Sequence, residues 1–321
     1  MPNEKSPQEK TTLHPCNKNR ERYDLGALIV AEPELAAYVK PNKFGDDSVD
    51  FANPLAVKLL NKALLNHYYG IKHWKFPDEN LTPPIPGRAD YIHYAADLLA
   101  ESNFGRMPAG DKITCLDIGT GSNMIYPIVG VTEYGWKFVA SDIDAKSIAS
   151  AQNSADANPS LKGKIELRLQ KNKSAIFKGI LGEDERIDVS VCNPPFHATA
   201  EEALKGTTRK VKNLSGKREK TPELNFAGIS SELMCEGGEH KFINNMIAES
   251  EIFAKNCYWF STLVSKQSNL KGIYKALDVL KAVQVKTIPM GTGNKSTRIV
   301  AWTFLSKEEQ KQWRETRWKT K

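Results

Sequence analysis

Residues 112–142 read KITCLDIGTGSNMIYPIVGVTEYGWKFVASD. An apolar run at 112–118 stops at a Gly-x-Gly turn, a helix-compatible stretch follows, and a second apolar run at 136–141 ends on Asp142. Strand, glycine turn, helix and strand in that order form the unit from which parallel sheets are built. Gly119 and Gly121 let the chain turn tightly and bring backbone N–H groups up to a ligand at a helix N-terminus. Met124 stands where a dinucleotide fingerprint has its third glycine, which argues against a pyrophosphate site. A plain glycine turn between strand and helix is the alternative. Asp142 occupies the place from which a carboxylate reaches the ribose hydroxyls of a bound nucleoside; it can also cap the next helix, a role open to Asp144 as well. With Asp117, these residues line the C-terminal edge of adjacent parallel strands, where open sheets bind ligands.

Outward from this unit, further strands are expected at 164–169, 187–192, 258–264, 283–289 and 298–304, and helices at 145–158, 239–255 and 270–282. The last two strands are joined only by MGTGNKST, too short for a crossover, so they must pair antiparallel. The expected fold is α/β, a seven-stranded, mostly parallel sheet with an antiparallel last strand. Residues 23–110 read as a helical elaboration in front of this core. Within it Asn53 caps a helix at 54–69, the prolines of LTPPIPG (81–87) enforce extended chain, and a second helix covers 89–100. Residues 1–22, charged and poor in large apolar groups, read as a flexible basic arm. The core is expected at 111–306. The tail at 307–321 is basic and carries Trp313 and Trp318, either as an exposed basic-aromatic surface or as a short helix packing its tryptophans on the core.

The strongest chemical signal follows the fourth strand: Cys192-Asn193-Pro194-Pro195-Phe196. An amino group conjugated to a purine has its lone pair delocalised and is a poor nucleophile toward a sulfonium methyl. The Asn193 side-chain oxygen and the Pro194 carbonyl can accept both amino hydrogens and turn the lone pair toward the methyl. Pro194 and Pro195 fix the backbone, and Phe196 offers a face for base stacking, a contact of roughly 1–3 kcal/mol. Such chemistry rests on positioning and preorganisation rather than on a strong base. A strand stopped by prolines beside an incidental aromatic is the bland alternative. His197 lines the pocket in this reading, with a direct role left open.

Just after this motif, residues 198–222 read as a mobile loop. Between 205 and 220 it carries seven basic side chains (Lys205, Arg209, Lys210, Lys212, Lys217, Arg218 and Lys220) against one acid. It is expected to contact RNA phosphates, a solvated insertion being the alternative. The formal net charge of +7 points the same way without deciding it. Five scattered cysteines with no CxxC pair suggest neither disulfides nor zinc, and no metal is expected. The polar N-terminus and the absence of a long apolar run point to a cytoplasmic protein without a membrane segment.

The runs LHPCNKNRERYDL (13–25), VDFANPLAVKLLNKALL (49–65), PPIPGRADYIHYAADLL (83–99), LDIGTGSNMIYPIVGVTEYGW (116–136), CNPPFH (192–197), CEGGE (235–239) and WFSTLVSK (259–266) together resemble the bacterial 23S ribosomal RNA adenine-N6 methyltransferase F family, related to the eukaryotic methyltransferase-like protein sixteen. The resemblance implies a Rossmann-like class I fold and S-adenosylmethionine as cofactor. It further implies methylation of N6 on one adenosine of 23S ribosomal RNA. The expected partner is 23S RNA or a ribosomal assembly intermediate, and the chain is expected to be a monomer. The resemblance also implies that Arg88 approaches the cofactor's methionine carboxylate, that Gly119 and Asn123 form loop contacts, that Asp142 holds the ribose and that residues 193–196 clamp the target amine. Guanine-N2 methylation of ribosomal RNA and glutamine-N5 methylation of a protein use similar NPP-aromatic motifs and stay open as alternatives.

Overall fold

The computed structural model describes residues 13–42, 44–77, 80, 82–196, 235–292 and 295–319. In chain order the elements are α1 (Leu25–Ala31), β1 (Val39–Pro41), β2 (Asp47–Val49), α2 (Pro54–Tyr69), α3 (Ile85–Ser102), β3 (Thr114–Ile118), α4 (Ile125–Tyr134), β4 (Lys137–Asp142), α5 (Ala145–Ala157), β5 (Ile165–Leu169) and β6 (Ile187–Cys192). Then come α6 (Gly238–Ile252), β7 (Cys257–Val264), α7 (Leu270–Val279), β8 (Gln284–Thr292), β9 (Lys295–Thr303) and α8 (Lys307–Trp313), followed by a π-helical turn (Arg314–Trp318).

Seven strands form one sheet in the order β5-β4-β3-β6-β7-β9-β8. β5, β4, β3, β6 and β7 are parallel, and β9 runs antiparallel between β7 and β8. The chain moves outward from β3 to β5 and then returns to β6 on β3's other side. This reversal opens a crevice at the C-terminal ends of β3 and β6. The alternation of the strands feeds two cores. Cys115, Val189, Val191 and Trp259 pack with α2, α3 and α4 on one face; Leu116, Ile118, Cys192 and Phe260 pack with α6 and α7 on the other.

Asn53 caps α2 as the sequence implied, accepting from Leu55 N–H and Ala56 N–H. α3 starts earlier than its prolines suggested, at Ile85 rather than 89, because Pro86 falls in the first turn, where no intrahelical bond needs its missing N–H. α3 is also no forward appendage, since Tyr91, Ile92, Ala95 and Leu99 are buried in the core shared with β6.

Residues 13–22 depart from the reading of a flexible arm. Leu13, His14, Asn17 and Asn19 are buried. The Asn17 amide donates to Pro86 O at 2.8 Å and to Asp90, the His14 N–H donates to Asp90 at 3.0 Å, and Lys18 pairs with Glu133 at 2.6 Å. Composition misled here because the segment is held by polar side chains rather than by apolar mass; residues 1–12 lie outside the described residues.

At the far end, the helical reading of the tail holds. Ser306 and Glu309 form a capping box for α8, and Trp313 and Trp318 are buried. Both indoles donate to Asp188 Oδ1, at 2.8 and 2.7 Å. Arg317 and Thr114 N–H also bond this carboxylate.

Candidate active site

The turn after β3 is built on left-handed backbone: φ is 73° at Gly119, 65° at Gly121 and 41° at Met124. Glycine relieves the first two; Met124 accepts the strain, worth about 1–2 kcal/mol, within a heavily bonded loop. Gly119 N–H and Thr120 N–H both donate to Ser141 O at 2.9 Å, tying the turn to the end of β4. Gly121 N–H donates to Asp142 Oδ2 and Asp144 N–H to Asp142 Oδ1, each at 2.9 Å. Asp144, not Asp142, caps α5, accepting from Lys146 N–H and Ser147 N–H. Asp142 is thereby fixed in orientation with lone pairs to spare, and a Cβ on Gly119 would meet nothing within 4 Å, so the turn faces open space.

Asp117 is wholly buried, and its carboxylate faces the Thr120 hydroxyl with no well-formed hydrogen bond among the described residues. Burial pushes its pKa up to about 7, against the pull of the Thr120 hydroxyl and the Arg88 guanidinium, with nearby Asp142 adding to the rise. Arg88, in the first turn of α3, donates to the Tyr126 hydroxyl at 3.3 Å and lies 5.5 Å from that ring's centre, with no carboxylate within ion-pair distance among the described residues.

Across the crevice, Ile118 is in register with Cys192, which sets Asn193 beside Gly119. Asn193 Oδ1 is buried and has no partner among the described residues; Pro194 is buried, and Pro195 and Phe196 are half-buried. The fold thus gathers Arg88, Asp117, Gly119, Gly121, Asn123, Asp142 and Asn193 at one sheet edge. Buried groups normally find partners, and the Asn193 Oδ1 and Asp117 oxygens leave acceptor capacity at that edge with which a donor from outside the chain could pair.

His197 and the basic side chains Lys205, Arg209, Lys210, Lys212, Lys217, Arg218 and Lys220 lie outside the described residues, as does most of the expected loop's surroundings. Among the described residues, no group of three or more His, Cys, Asp or Glu side chains is placed to hold a metal ion, and no helix is long and apolar enough to cross a membrane.

Two contributors escaped the sequence reading. The Trp74 indole N–H donates to Asn123 O at 2.9 Å, so the strap after α2 holds the glycine turn. Glu239, buried in the first turn of α6, accepts from Ser265 N–H, Lys266 N–H and the Asn269 amide, bracing the end of β7. A tryptophan isolated in the polar run GIKHWKF was the available signal for the first; the second had only its CEGGE context.

A family model described as RNA methyltransferase matches residues 7–306. The chain is 56% identical over 313 residues to ribosomal RNA large subunit methyltransferase F of Cytophaga hutchinsonii, covering 98% of this chain and 97% of the relative. Identity to the protein of the same name from Photobacterium profundum is 53% over 330 residues, 98% of each chain. Among solved structures, the human METTL16 catalytic domain in complex with the MAT2A 3′UTR hairpin 1 matches with TM-score 0.76 at 28% identity, covering 92% of this chain and 96% of that one. The N-terminal domain of human METTL16 in complex with SAH matches with TM-score 0.71 at 25% identity, covering 92% and 99%. Matched over nearly its whole length by that family model and by these relatives, the chain belongs to the RNA methyltransferase family that includes ribosomal RNA large subunit methyltransferase F.

Proposed function

We propose that this chain transfers a methyl group from S-adenosylmethionine to N6 of one adenosine in 23S ribosomal RNA, adenine 1618 by the family resemblance, in the cytoplasm and as a monomer. The observation that carries the reading is the buried, unpartnered Asn193 Oδ1 beside the glycine turn. An acceptor left unpaired there costs about 1–3 kcal/mol unless a donor arrives, and an exocyclic amine is such a donor.

The residues at the crevice fit S-adenosylmethionine. Arg88, a cation with no carboxylate partner among the described residues, suits the methionine carboxylate, and the buried Asp117 suits the ammonium. Asp142, held from both sides by backbone N–H groups, presents its remaining lone pairs to ribose hydroxyls. When bound, the cofactor supplies an electrophilic methyl on a sulfonium. Asn193 and the Pro194 carbonyl hold the target amine's two hydrogens and aim its lone pair, while Phe196 carries the base. No general base is needed before bond formation, since the nitrogen becomes acidic only as it is methylated.

Ribosomal RNA is the named substrate of the bacterial relatives, and the human neighbours are complexes with an RNA hairpin and with SAH. These support RNA as partner, with free 23S RNA or an assembling particle as its form. The basic loop then supplies phosphate contacts. Neutralising Arg209, Lys210 and Lys212 together should weaken RNA binding and flatten its salt dependence by about three charges' worth; an unchanged slope removes the loop from the interface.

The deciding experiment is labelled methyl transfer to total RNA from cells lacking this protein, followed by nucleoside mass analysis. Label in N6-methyladenosine of 23S RNA supports the proposal. Label in N2-methylguanosine keeps the clamp and changes the target, and label in protein alone overturns an RNA substrate.

A further inference from the structure

β6 and β7 stop pairing before either strand ends. Their backbone register runs Ile187↔Cys257 and Val189↔Trp259 and goes no further, whereas β6 stays paired to β3 up to Cys192. The hydroxyl of Tyr91, a fully buried residue of α3 one helical turn beyond Arg88, bonds to both strands beyond their last backbone pair. It lies 2.9 Å from Ser261 Oγ and accepts from Cys192 N–H at 3.4 Å. Ser261 Oγ in turn donates to Ser190 O at 2.5 Å, and Ser261 N–H donates to Ser190 Oγ at 3.3 Å.

Proton inventory fixes the directions. Ser261 has one hydroxyl hydrogen, committed to the Ser190 carbonyl, so the Tyr91 hydroxyl must donate to Ser261 Oγ and its oxygen must be the acceptor for Cys192 N–H. Burial holds the Tyr91 hydroxyl protonated by raising its pKa well above the usual value. The chain of bonds runs Cys192 N–H, Tyr91 O–H, Ser261 O–H, Ser190 carbonyl. It joins β6 to β7 through a side chain of α3 where the direct backbone bonds have ended. Two segments singled out in the sequence, PPIPGRADYIHYAADLL and WFSTLVSK, have no part in the clamp itself, and these two side chains, 170 residues apart, are where they meet.

We propose that Tyr91 is a positioning residue for methyl transfer: with Ser261 it ties the end of β6 to β7 and sets the peptide immediately before Asn193, so that the amide oxygen stays aimed at the target amine. The inference rests on the reading of Asn193 as the amine clamp. Without the hydroxyl, Cys192 N–H loses its acceptor and the strand end is free to shift, which misaligns the clamp. Because Arg88 and Tyr91 share α3, a single helix sets both the cofactor's carboxylate end and the clamp.

The test uses the full chain and Tyr91→Phe, with Tyr274→Phe, remote from the site, as control. Three quantities are read: kcat and KM for methyl transfer to 23S RNA, the Kd for S-adenosylhomocysteine, and amide hydrogen exchange over residues 187–196. Tyr91→Phe should lower kcat at least tenfold, leave the S-adenosylhomocysteine Kd within twofold and raise exchange at 190–196 at least tenfold without raising it over 114–118. Ser261→Ala should reproduce the direction of all three, and Tyr274→Phe should change none. An unchanged kcat with unchanged exchange overturns the proposal, as does a kcat loss matched by equal loss of S-adenosylhomocysteine affinity, which would make Tyr91 ordinary core packing. If the wild-type chain methylates no RNA while Tyr91→Phe still raises exchange at 190–196, the functional reading has failed and the bond network has not.

Discussion

Two aspartates on neighbouring strands, both buried, sit at opposite edges of the same sheet and live opposite lives. Asp188, at the N-terminal end of β6, accepts from two tryptophan indoles, an arginine and a backbone N–H. Asp117, at the C-terminal end of β3, has no well-formed hydrogen bond among the described residues, and its pKa rises to about 7. One edge satisfies its charge and locks the C-terminal tail onto the sheet; the other leaves acceptors unpaired, Asn193 Oδ1 among them. Stability is built at the first and withheld at the second, which is how a fold keeps an electrostatic site ready for a ligand.

The sharpest way to break this comparison is Asn193→Ala. Losing one transition-state hydrogen bond of this kind reduces turnover by about a hundred- to thousandfold. S-adenosylhomocysteine affinity should stay within a few-fold and the melting temperature should not fall, since the acceptor removed was unpaired. Surviving turnover, measured by labelled methyl transfer, would dismiss the clamp.

Next in size, Asp188→Asn should destabilise the fold by about 3–5 kcal/mol, because it deprives Arg317 of its counter-charge and sets an amide N–H against donors. Urea denaturation reads this directly, and a loss under 1 kcal/mol would mean the tail is held by its apolar contacts alone.

The same substitution at the other edge, Asp117→Asn, should act with the opposite sign. The folded pKa of Asp117 lies above its ordinary 3.8, so the folded chain retains a proton that the unfolded chain releases. Without ligand, this group makes stability fall as pH rises from about 4 to about 7, and the penalty is fully present above that window. Asp117→Asn should therefore raise stability at pH 8 by up to a few kcal/mol, flatten that part of the pH profile and weaken S-adenosylhomocysteine binding. A destabilised variant at pH 8 would place Asp117 in the same class as Asp188.

The smallest effect is expected from Trp74→Phe, which removes one bond to Asn123 O. At about 1 kcal/mol, the loss predicts roughly fivefold weaker S-adenosylhomocysteine binding in calorimetry with little change in kcat. A pure kcat loss would assign the strap to the substrate side.

Much of the parallel sheet was legible because a strand buried on both faces needs a short apolar run and a crossover needs a helix, and both leave marks in residues 112–192. The antiparallel end was legible from one short connection. The start of α3 was misread because proline signals extension only outside the first helical turn, and nothing local says which turn a proline will occupy. Residues 13–20 were misread because their anchors, Asp90 and Pro86, lie some 70 positions away.

By itself the sequence determined the strand–turn–helix grammar and the left-handed turns at Gly119 and Gly121, which follow from local sterics, and it supplied the proposed clamp, which follows from the chemistry of an amine between two acceptors. Only the tertiary structure decided which polar groups are paired. That Asp188 is saturated while Asp117 has no well-formed hydrogen bond among the described residues, that Trp74 holds Asn123 and that Tyr91 bonds to both β6 and β7 depend on side chains brought together across tens to more than a hundred residues. Hydrogen bonding and desolvation act at ångström range, and sequence distance carries no information about that range until the chain has folded.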